Sequence, residues 1–134
     1  MKTVCVSGYF NPIHRGHIDY LREAAALGDN LVVILNNDEQ VKLKGSIPFM
    51  DEAERFQILK AIKYVDVVIA SIDKDETVCK TLEMIKPDIF AKGGDRIDTN
   101  TPEFDLCNKL GIQVFFGVGG GKVQSSSELL KRLQ

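Results

Sequence analysis

Short apolar runs alternate with amphipathic stretches along the whole chain, and few folds accommodate that order. The stretches between the runs place apolar residues at helical spacing. Parallel strands need crossover connections, usually helices, so this alternation is typical of a parallel sheet. We predict one α/β domain over the 134 residues, with a five-stranded parallel sheet and helices on both faces. The predicted strands contain residues Val4–Val6, Leu31–Leu35, Val67–Ile69, Ile89–Ala91 and Val114–Phe116.

Helix boundaries can be predicted from capping residues and glycines. Gly28 is placed to end the first helix, and Asp51 with Glu54 has the spacing of a capping box at the start of a later one. Residues 36–45 are predicted to form a loop. Near the end of the chain, Ser125 and Glu128 have the same capping-box spacing and predict the start of a terminal helix.

Charge and cysteine usage narrow the classes of function. The formal net charge is -2, from 17 basic and 19 acidic residues that are well mixed, so no basic stripe suits nucleic acid. No apolar run approaches membrane-spanning length, and the N-terminus lacks the pattern of a signal peptide. Three cysteines without CxxC spacing suit a reducing compartment. We therefore expect a cytoplasmic protein with neither nucleic-acid nor membrane partners.

The segment 8–17, Gly-Tyr-Phe-Asn-Pro-Ile-His-Arg-Gly-His, joins the first predicted strand to the first predicted helix and contains both histidines. His14 and His17 are three residues apart at the helix start, so their side chains are neighbours. Gly16 between them leaves the backbone open to a ligand. Unpaired N–H groups at a helix start, together with two imidazoles, suit a phosphate group.

Two other interpretations of this segment are weaker. An ordinary strand-to-helix loop would need the glycines but not both histidines. A zinc site needs three or four ligands, and the three cysteines have no suitable spacing. We therefore predict no protein-bound metal site.

The string G-x-F-N-P-x-H-x-G-H resembles the signature of the HxGH nucleotidyltransferases, the cytidylyltransferase-like superfamily. The resemblance spans nearly the entire chain and implies a Rossmann-like sheet. It also implies transfer of a CMP or AMP group from CTP or ATP to a phosphorylated small molecule, with release of pyrophosphate. Five motif residues are implied to contact the nucleotide: Gly8, Tyr9, Phe10, Asn11 and Gly16. Asn11 is also a candidate for acceptor binding, but it stands where glycerol-phosphate and sugar-phosphate members usually have Asp.

Other candidates follow predicted strands, at the edge where parallel sheets bind ligands. Lys44 is a candidate catalytic cation for the phosphates, and Lys42 is a weaker candidate for substrate binding. Arg55 resembles the family's helix-start arginine, which implies contact with substrate phosphates. The alternative for all three is an ordinary solvated charge on the surface.

Two later segments add candidates for nucleotide binding. Lys92, Gly93 and Asp95 belong to a Lys-Gly-Gly-Asp string that resembles the nucleotide-facing loop of heptose-phosphate adenylyltransferases. The serine run Ser125, Ser126 and Ser127 resembles the Ser/Thr-rich helix start that closes the superfamily's pattern. A plain turn and a well-capped terminal helix are the respective alternatives.

The implied chemistry asks for little proton transfer. A phosphomonoester acceptor is already anionic near neutral pH, because its second pKa is about 6. The protein must align the acceptor with the α-phosphorus and stabilise charge on the transferred and leaving groups. We predict that His14 and His17 donate to the α- and β-phosphates. We predict Mg²⁺ carried with the triphosphate, and transfer by direct in-line displacement.

The sequence leaves alternatives for the nucleotide donor, the phosphorylated acceptor and the oligomeric state. Length resembles stand-alone glycerol-phosphate cytidylyltransferases and slightly favours CTP, whereas the Lys-Gly-Gly-Asp string favours ATP. The acceptor is a polyol phosphate or sugar phosphate, with a flavin or nicotinate nucleotide as the alternative. A non-catalytic nucleotide-binding module and a flavodoxin-like domain explain the two histidines less well. Because family members often dimerise, we also expect a homodimer.

Overall fold

The described residues form one six-stranded sheet in the order β3-β2-β1-β4-β5-β6. The structure is a computed structural model that describes residues 1–94 and 98–120, together with the backbone of 124–125. The strands are β1 (Thr3–Gly8), β2 (Asn30–Leu35), β3 (Val67–Ala70), β4 (Ile89–Gly93), β5 (Gln113–Val118) and β6 (Gln124–Ser125). β1 to β5 are parallel to one another, which confirms the five predicted strands, and β6 pairs antiparallel with β5.

Helices cover both faces of the sheet, as predicted. They are α1 (Arg15–Ala25), α2 (Asp38–Leu43), α3 (Glu52–Ala61), α4 (Cys79–Ile85) and α5 (Pro102–Leu110). Leu21 of α1 and Leu59 of α3 are fully buried in one core. Leu82 of α4 and Cys107 of α5 are fully buried in the other. Successive strand residues alternate between these cores because side chains in a strand point to opposite faces.

Three boundary predictions need correction. Residues 38–43 form α2 instead of a loop, because Asn37 caps the helix and Gln40 reaches back to the Asn37 N–H. Gly28 does not end α1, which stops at Ala25. A Cβ on Gly28 would lie 2.7 Å from a methyl group of Val4, so its absence permits close packing against β1.

The third correction concerns Ser125. This residue belongs to β6 instead of starting a helix. Residues 126–134, which contain the rest of the predicted helix, lie outside the described part of the chain.

The strand order fixes where the loops meet. The chain adds β2 and β3 on one side of β1 and then crosses to add β4 and β5 on the other, so the order of strand addition reverses between β1 and β4. The carboxyl ends of the five parallel strands share one edge, where a crevice opens at such a switch point. Within the described residues, no helix combines the length and apolar character needed to cross a membrane.

Candidate active site

Hydrogen bonds to the side chains of both histidines close the junction of β1 and α1. His14 is the N-cap of α1, and its Nδ1 accepts the Gly16 N–H at 3.1 Å. The Nδ1 of His17 accepts the His14 N–H at 3.2 Å. Their rings stack with centroids 3.9 Å apart. This is a capping box in which imidazoles replace the usual hydroxyl and carboxylate groups.

The capping box assigns the ring tautomers. A nitrogen that accepts a hydrogen bond carries no proton, so each Nδ1 is unprotonated and each neutral ring carries its proton on Nε2. No hydrogen bond among the described residues uses either Nε2 atom. Burial, reinforced by the neighbouring His14, lowers the pKa of His17 from 6.5 to about 4. The His17 side chain is therefore a neutral N–H donor at neutral pH.

The capping box also engages backbone N–H groups at the start of α1. The Gly16 N–H is already bonded to His14, and the His17 N–H donates to the His14 carbonyl at 2.9 Å. These two amides are thus engaged within the loop. The donors that the histidine pair leaves available to a ligand are the two Nε2–H groups.

Two glycines of the motif make room for aromatic rings. Phe10 is buried, has φ 48°, and meets the His17 ring edge-on with centroids 4.9 Å apart. A Cβ on Gly8 would lie 2.9 Å from the Phe10 ring. A Cβ on Gly16 would lie 3.0 Å from the His14 ring. The motif therefore fixes both imidazoles by packing as well as by hydrogen bonds.

A cavity of about 410 Å³ opens beside the histidines. Its walls come from the β1–α1 junction, from α1 and from the loops after β4 and β5. The lining residues are Ser7, Gly8, Phe10, His14, Gly16, His17, Tyr20, Gly93, Gly94, Val118, Gly119 and Gly120. Half-open volumes of this size, with few polar groups converging on them, are typical of small-molecule sites.

Glycine backbone from the loops after β4 and β5 forms another part of the cavity wall. Gly119 has φ 82°, and a Cβ there would lie 2.8 Å from the Tyr20 backbone. The Tyr20 hydroxyl donates to the Ala91 carbonyl at 2.5 Å, which ties α1 to β4. Gly94 and Gly120 are close neighbours across the cavity wall. The close approach leaves peptide groups, without side chains, as the surface a ligand would meet.

Several lining residues are not among the individual site candidates named from the sequence. Gly94, Gly119 and Gly120 belong to glycine runs that follow predicted strands at the expected ligand-binding edge, and Gly94 lies within the Lys-Gly-Gly-Asp string itself. Tyr20 gave no signal, since a tyrosine within an amphipathic helix is ordinary. Its position in the wall depends on contacts with β4 and the loop after β5.

Asn11 lies at the motif but binds the protein itself. Its side-chain oxygen accepts the N–H groups of Phe49 at 2.6 Å and Met50 at 3.2 Å. Its side-chain nitrogen donates to the Ile47 carbonyl at 3.0 Å. Asn11 thus joins the motif to the segment before α3. Its predicted contacts with nucleotide and acceptor stay predictions.

Arg55 is buried and does not line the cavity, and its predicted contact with substrate phosphates stays a prediction. Its guanidinium is fully buried and bonds the Asp38 carboxylate at 2.7 Å. It also donates to the carbonyls of Tyr9 at 2.7 Å, Asn36 at 2.8 Å and Met50 at 3.0 Å. Arg55 therefore supports the loops after β1 and β2 from behind.

The lysine candidates occupy the side of the motif next to β2. Lys44 caps α2, is exposed, and holds its Nζ 4.3 Å from the centre of the Tyr9 ring. Lys42 pairs with Glu39 at 3.4 Å on the exposed surface. Neither lysine lines the cavity beside the histidines. Their roles stay predictions.

The remaining candidates divide between the cavity and the undescribed part of the chain. Gly93 lines the cavity, whereas Lys92 does not. Asp95, Ser126 and Ser127 lie outside the described residues, and Ser125 is described only as backbone of β6. Over residues 1–94 and 98–120, no cluster of three or more His, Cys, Asp or Glu side chains is arranged to hold a metal ion.

Comparison with known proteins assigns this site to a family. The profile of the cytidylyltransferase-like family matches residues 5–113, which run from within β1 to the first residue of β5 and include the histidine pair. The chain belongs to the cytidylyltransferase-like family. It is a nucleotidyltransferase, as the HxGH resemblance implied, and the non-catalytic alternative is set aside.

Relatives of this cytidylyltransferase-like chain match nearly all of it. It is 35% identical over 136 residues to an FAD synthase of Thermoplasma volcanium, covering 99% of this chain and 94% of that one. It is 36% identical to the bifunctional protein HldE of Aliarcobacter butzleri, covering 99% of this chain but only 27% of HldE. A solved structure of a Thermoplasma volcanium protein, titled a lipopolysaccharide core biosynthesis protein, superposes with a TM-score of 0.73 at 35% identity, covering 87% of this chain and 94% of that one.

Proposed function

We propose that this nucleotidyltransferase transfers AMP from ATP to FMN and so forms FAD. The observation that carries the proposal is the 35% identity with an FAD synthase along 99% of this chain and 94% of the relative. An FAD synthase of Thermoplasma acidophilum also matches at 35%, with the same coverage of both chains. Chain length alone slightly favoured CTP, but matches that extend along nearly the whole of both proteins are a stronger reason to propose ATP.

The donor would occupy the cavity beside the histidine pair. The peptide groups of Gly93, Gly94 and Gly119 suit the flat base, because no side chain intervenes. The Nε2–H groups of His14 and His17 suit phosphate oxygens. The neutral His17 ring holds the ground-state phosphates less tightly than a cation would and still stabilises negative charge that grows during the reaction.

The reaction then needs one displacement. A phosphate oxygen of the acceptor attacks the α-phosphorus, the bond from that phosphorus to the bridging oxygen breaks, and pyrophosphate leaves with the electron pair. Mg²⁺ bound to the triphosphate would neutralise the leaving group. Its ligands would be chiefly phosphate oxygens and water, since the described residues offer no metal-binding cluster. A location in the cytoplasm and a homodimer remain our expectations.

A sugar phosphate is the second candidate acceptor. The 36% identity to HldE favours this acceptor. The Lys-Gly-Gly-Asp string at residues 92–95, which resembles a loop of heptose-phosphate adenylyltransferases, also favours it. The identity is similar to that of the FAD synthases, but the match covers a quarter of HldE. Identity alone therefore does not separate the two acceptors.

A substrate matrix tests the proposal. ATP or CTP is incubated with FMN, glycerol 3-phosphate, a heptose phosphate or nicotinate mononucleotide, and pyrophosphate release and product mass are followed. We expect rapid turnover only with ATP and FMN, giving the mass of FAD. Turnover with a heptose phosphate but not with FMN would replace the flavin by the sugar. Turnover with CTP but not ATP would contradict ATP as the donor.

A further inference from the structure

We propose that Ile47 and Phe49 form an acceptor platform, an apolar surface on which the flavin ring of FMN lies while its phosphate faces the histidine pair. The inference rests on the proposed function, because it names the part of the acceptor that these side chains bind. It adds two binding residues to the site that neither the HxGH motif nor the cavity lining includes.

The side chains of Ile47 and Phe49 are unusually exposed for apolar residues. Ile47 is 85% exposed and Phe49 is 76% exposed. Apart from the N-terminal Met1, no large apolar side chain in the described residues is more exposed. The next most exposed are Met84 at 56% and Ile72 at 53%. Single exposed apolar groups are normal, but two within three residues beside a substrate site form a surface suited to an apolar ligand.

Hydrogen bonds hold the backbone of Ile47 and Phe49 to the junction of β1 and α1. Asn11 bonds the carbonyl of Ile47 and the N–H groups of Phe49 and Met50, at 2.6 to 3.2 Å. Asn11 directly follows Phe10, whose ring packs against His17. The backbone of the platform is therefore held at a set position relative to the histidine pair. A segment tethered in this way can present a ring-binding surface with little ordering cost.

The strand order places the platform on the acceptor side. The cavity is built over β1, β4 and β5, whereas residues 44–50 follow β2 and α2 on the other side of β1. In-line displacement requires the attacking oxygen to approach opposite the departing pyrophosphate. With the nucleotide over β1, β4 and β5, the segment after α2 is the described surface left for the acceptor on the β2 side.

The chemistry of the segment matches an amphipathic phosphate ester. Lys44 supplies an exposed cation over the Tyr9 ring, and Ile47 and Phe49 supply apolar surface three and five residues later. FMN has the same division, with a dianionic phosphate at one end of a ribityl chain and a flat aromatic ring system at the other. Aromatic side chains favour stacked or edge-on contacts with such rings. A polyol phosphate has no group that would use the apolar half.

The test compares FMN with ribitol 5-phosphate, which is the same ester without the ring. Binding of each is measured by calorimetry to the wild type, to Phe49→Ala and to Met84→Ala, the control at an exposed apolar residue on α4. We expect Phe49→Ala to weaken FMN binding about 10-fold while leaving ATP and ribitol 5-phosphate unchanged. Met84→Ala should bind all three like the wild type. Ile47→Ala should weaken FMN binding in the same ring-dependent way.

Other outcomes separate the possible failures. Wild-type affinity for FMN in a folded Phe49→Ala variant overturns the platform while leaving the proposed function intact. If the wild type binds no FMN and makes no FAD, the proposed function and the platform fail together. If Phe49→Ala halves the mass in solution and weakens FMN and ribitol 5-phosphate equally, the surface holds a second copy of this chain, and the platform is overturned.

Discussion

His17 illustrates how one residue can be both a structural cap and a ligand-binding group. Its Nδ1 closes the capping box and its Nε2–H stays available. Burial, and then the proximity of His14, hold the pKa at about 4. The ring thus stays neutral where an ordinary histidine would begin to gain a proton.

The lowered pKa predicts a pH-dependent stability. The unfolded state binds this proton near pH 6.5 and the folded state near pH 4, so stability contributed by the neutral ring is complete above pH 6.5 and falls as the pH decreases towards 4. Urea unfolding at about pH 7.5 and about pH 5 measures this loss. The control is His17→Asn, which keeps a cap acceptor but has no titrating ring. We expect the wild type to lose more stability than His17→Asn over this interval; equal losses would contradict the lowered pKa.

At the scale of elements, Arg55 links several segments around the site, although it lies outside the HxGH motif. It lies in α3 and bonds the ends of β1 and β2 together with the start of α2. The two loops that flank the histidines are therefore held by one buried cation.

Arg55→Met should destabilise the protein by about 3 kcal/mol, because it leaves the Asp38 charge and the carbonyls of Tyr9 and Asn36 without their donor. The matched control is Arg22→Met. Arg22 forms an exposed pair with Asp19 at 3.1 Å, and its loss should cost no more than about 1 kcal/mol. Chemical unfolding of both variants gives the comparison. Similar losses would show that burial of the Arg55 pair has no special weight.

Strands with long apolar runs could be predicted from the sequence. Very short elements, and elements that form only by pairing with a distant segment, could not. The five parallel strands followed from runs such as Leu31–Leu35, whose burial on both sheet faces needs continuous apolar residues. α2 is only six residues long, too short to show a helical period, although Asn37 and Gln40 carried its capping signal. β6 is a two-residue strand that exists through pairing with β5, which local pattern does not encode.

The same contrast holds within the site. His14 and His17 were found because their spacing and the flanking glycines are local. The buried position of Arg55 depends on partners 17 to 46 positions away, so neither its charge nor its resemblance to the family's arginine indicated these contacts. Tyr20 and Gly119 meet only in the fold, where the left-handed φ of 82° and close contact require glycine.

At the scale of the whole molecule, neither the cysteines nor the histidines, all of which lie in the described part of the chain, are arranged to form a covalent nucleotidyl intermediate. Burial raises the pKa of the Cys5 thiol and, with Cys79 and Glu103 adding to the effect, raises that of Cys107 to about 12. Burial likewise raises the pKa of the Cys79 thiol on α4. Protonated thiols are poor nucleophiles. In each histidine, Nδ1 accepts a backbone N–H and Nε2 carries the proton, so neither ring offers a free lone pair.

Labelled pyrophosphate should therefore not exchange into ATP in the absence of acceptor, and exchange should begin when FMN and FAD are added. The triple Cys→Ser variant is expected to behave like the wild type once folding is verified. Exchange in acceptor-free protein, or a nucleotide adduct in its intact mass, would require a covalent step.

We propose that the Nε2–H groups of His14 and His17 stabilise the transferred phosphates. The decisive measurement is the turnover of His14→Asn and His17→Asn, on variants with wild-type circular dichroism. Asn is among the best N-cap residues and retains an acceptor near the Nδ1 position, so each variant keeps the helix start while losing the Nε2 donor. We expect turnover to fall about 100-fold or more in each variant. Wild-type turnover in either folded variant would show that its Nε2–H is not needed.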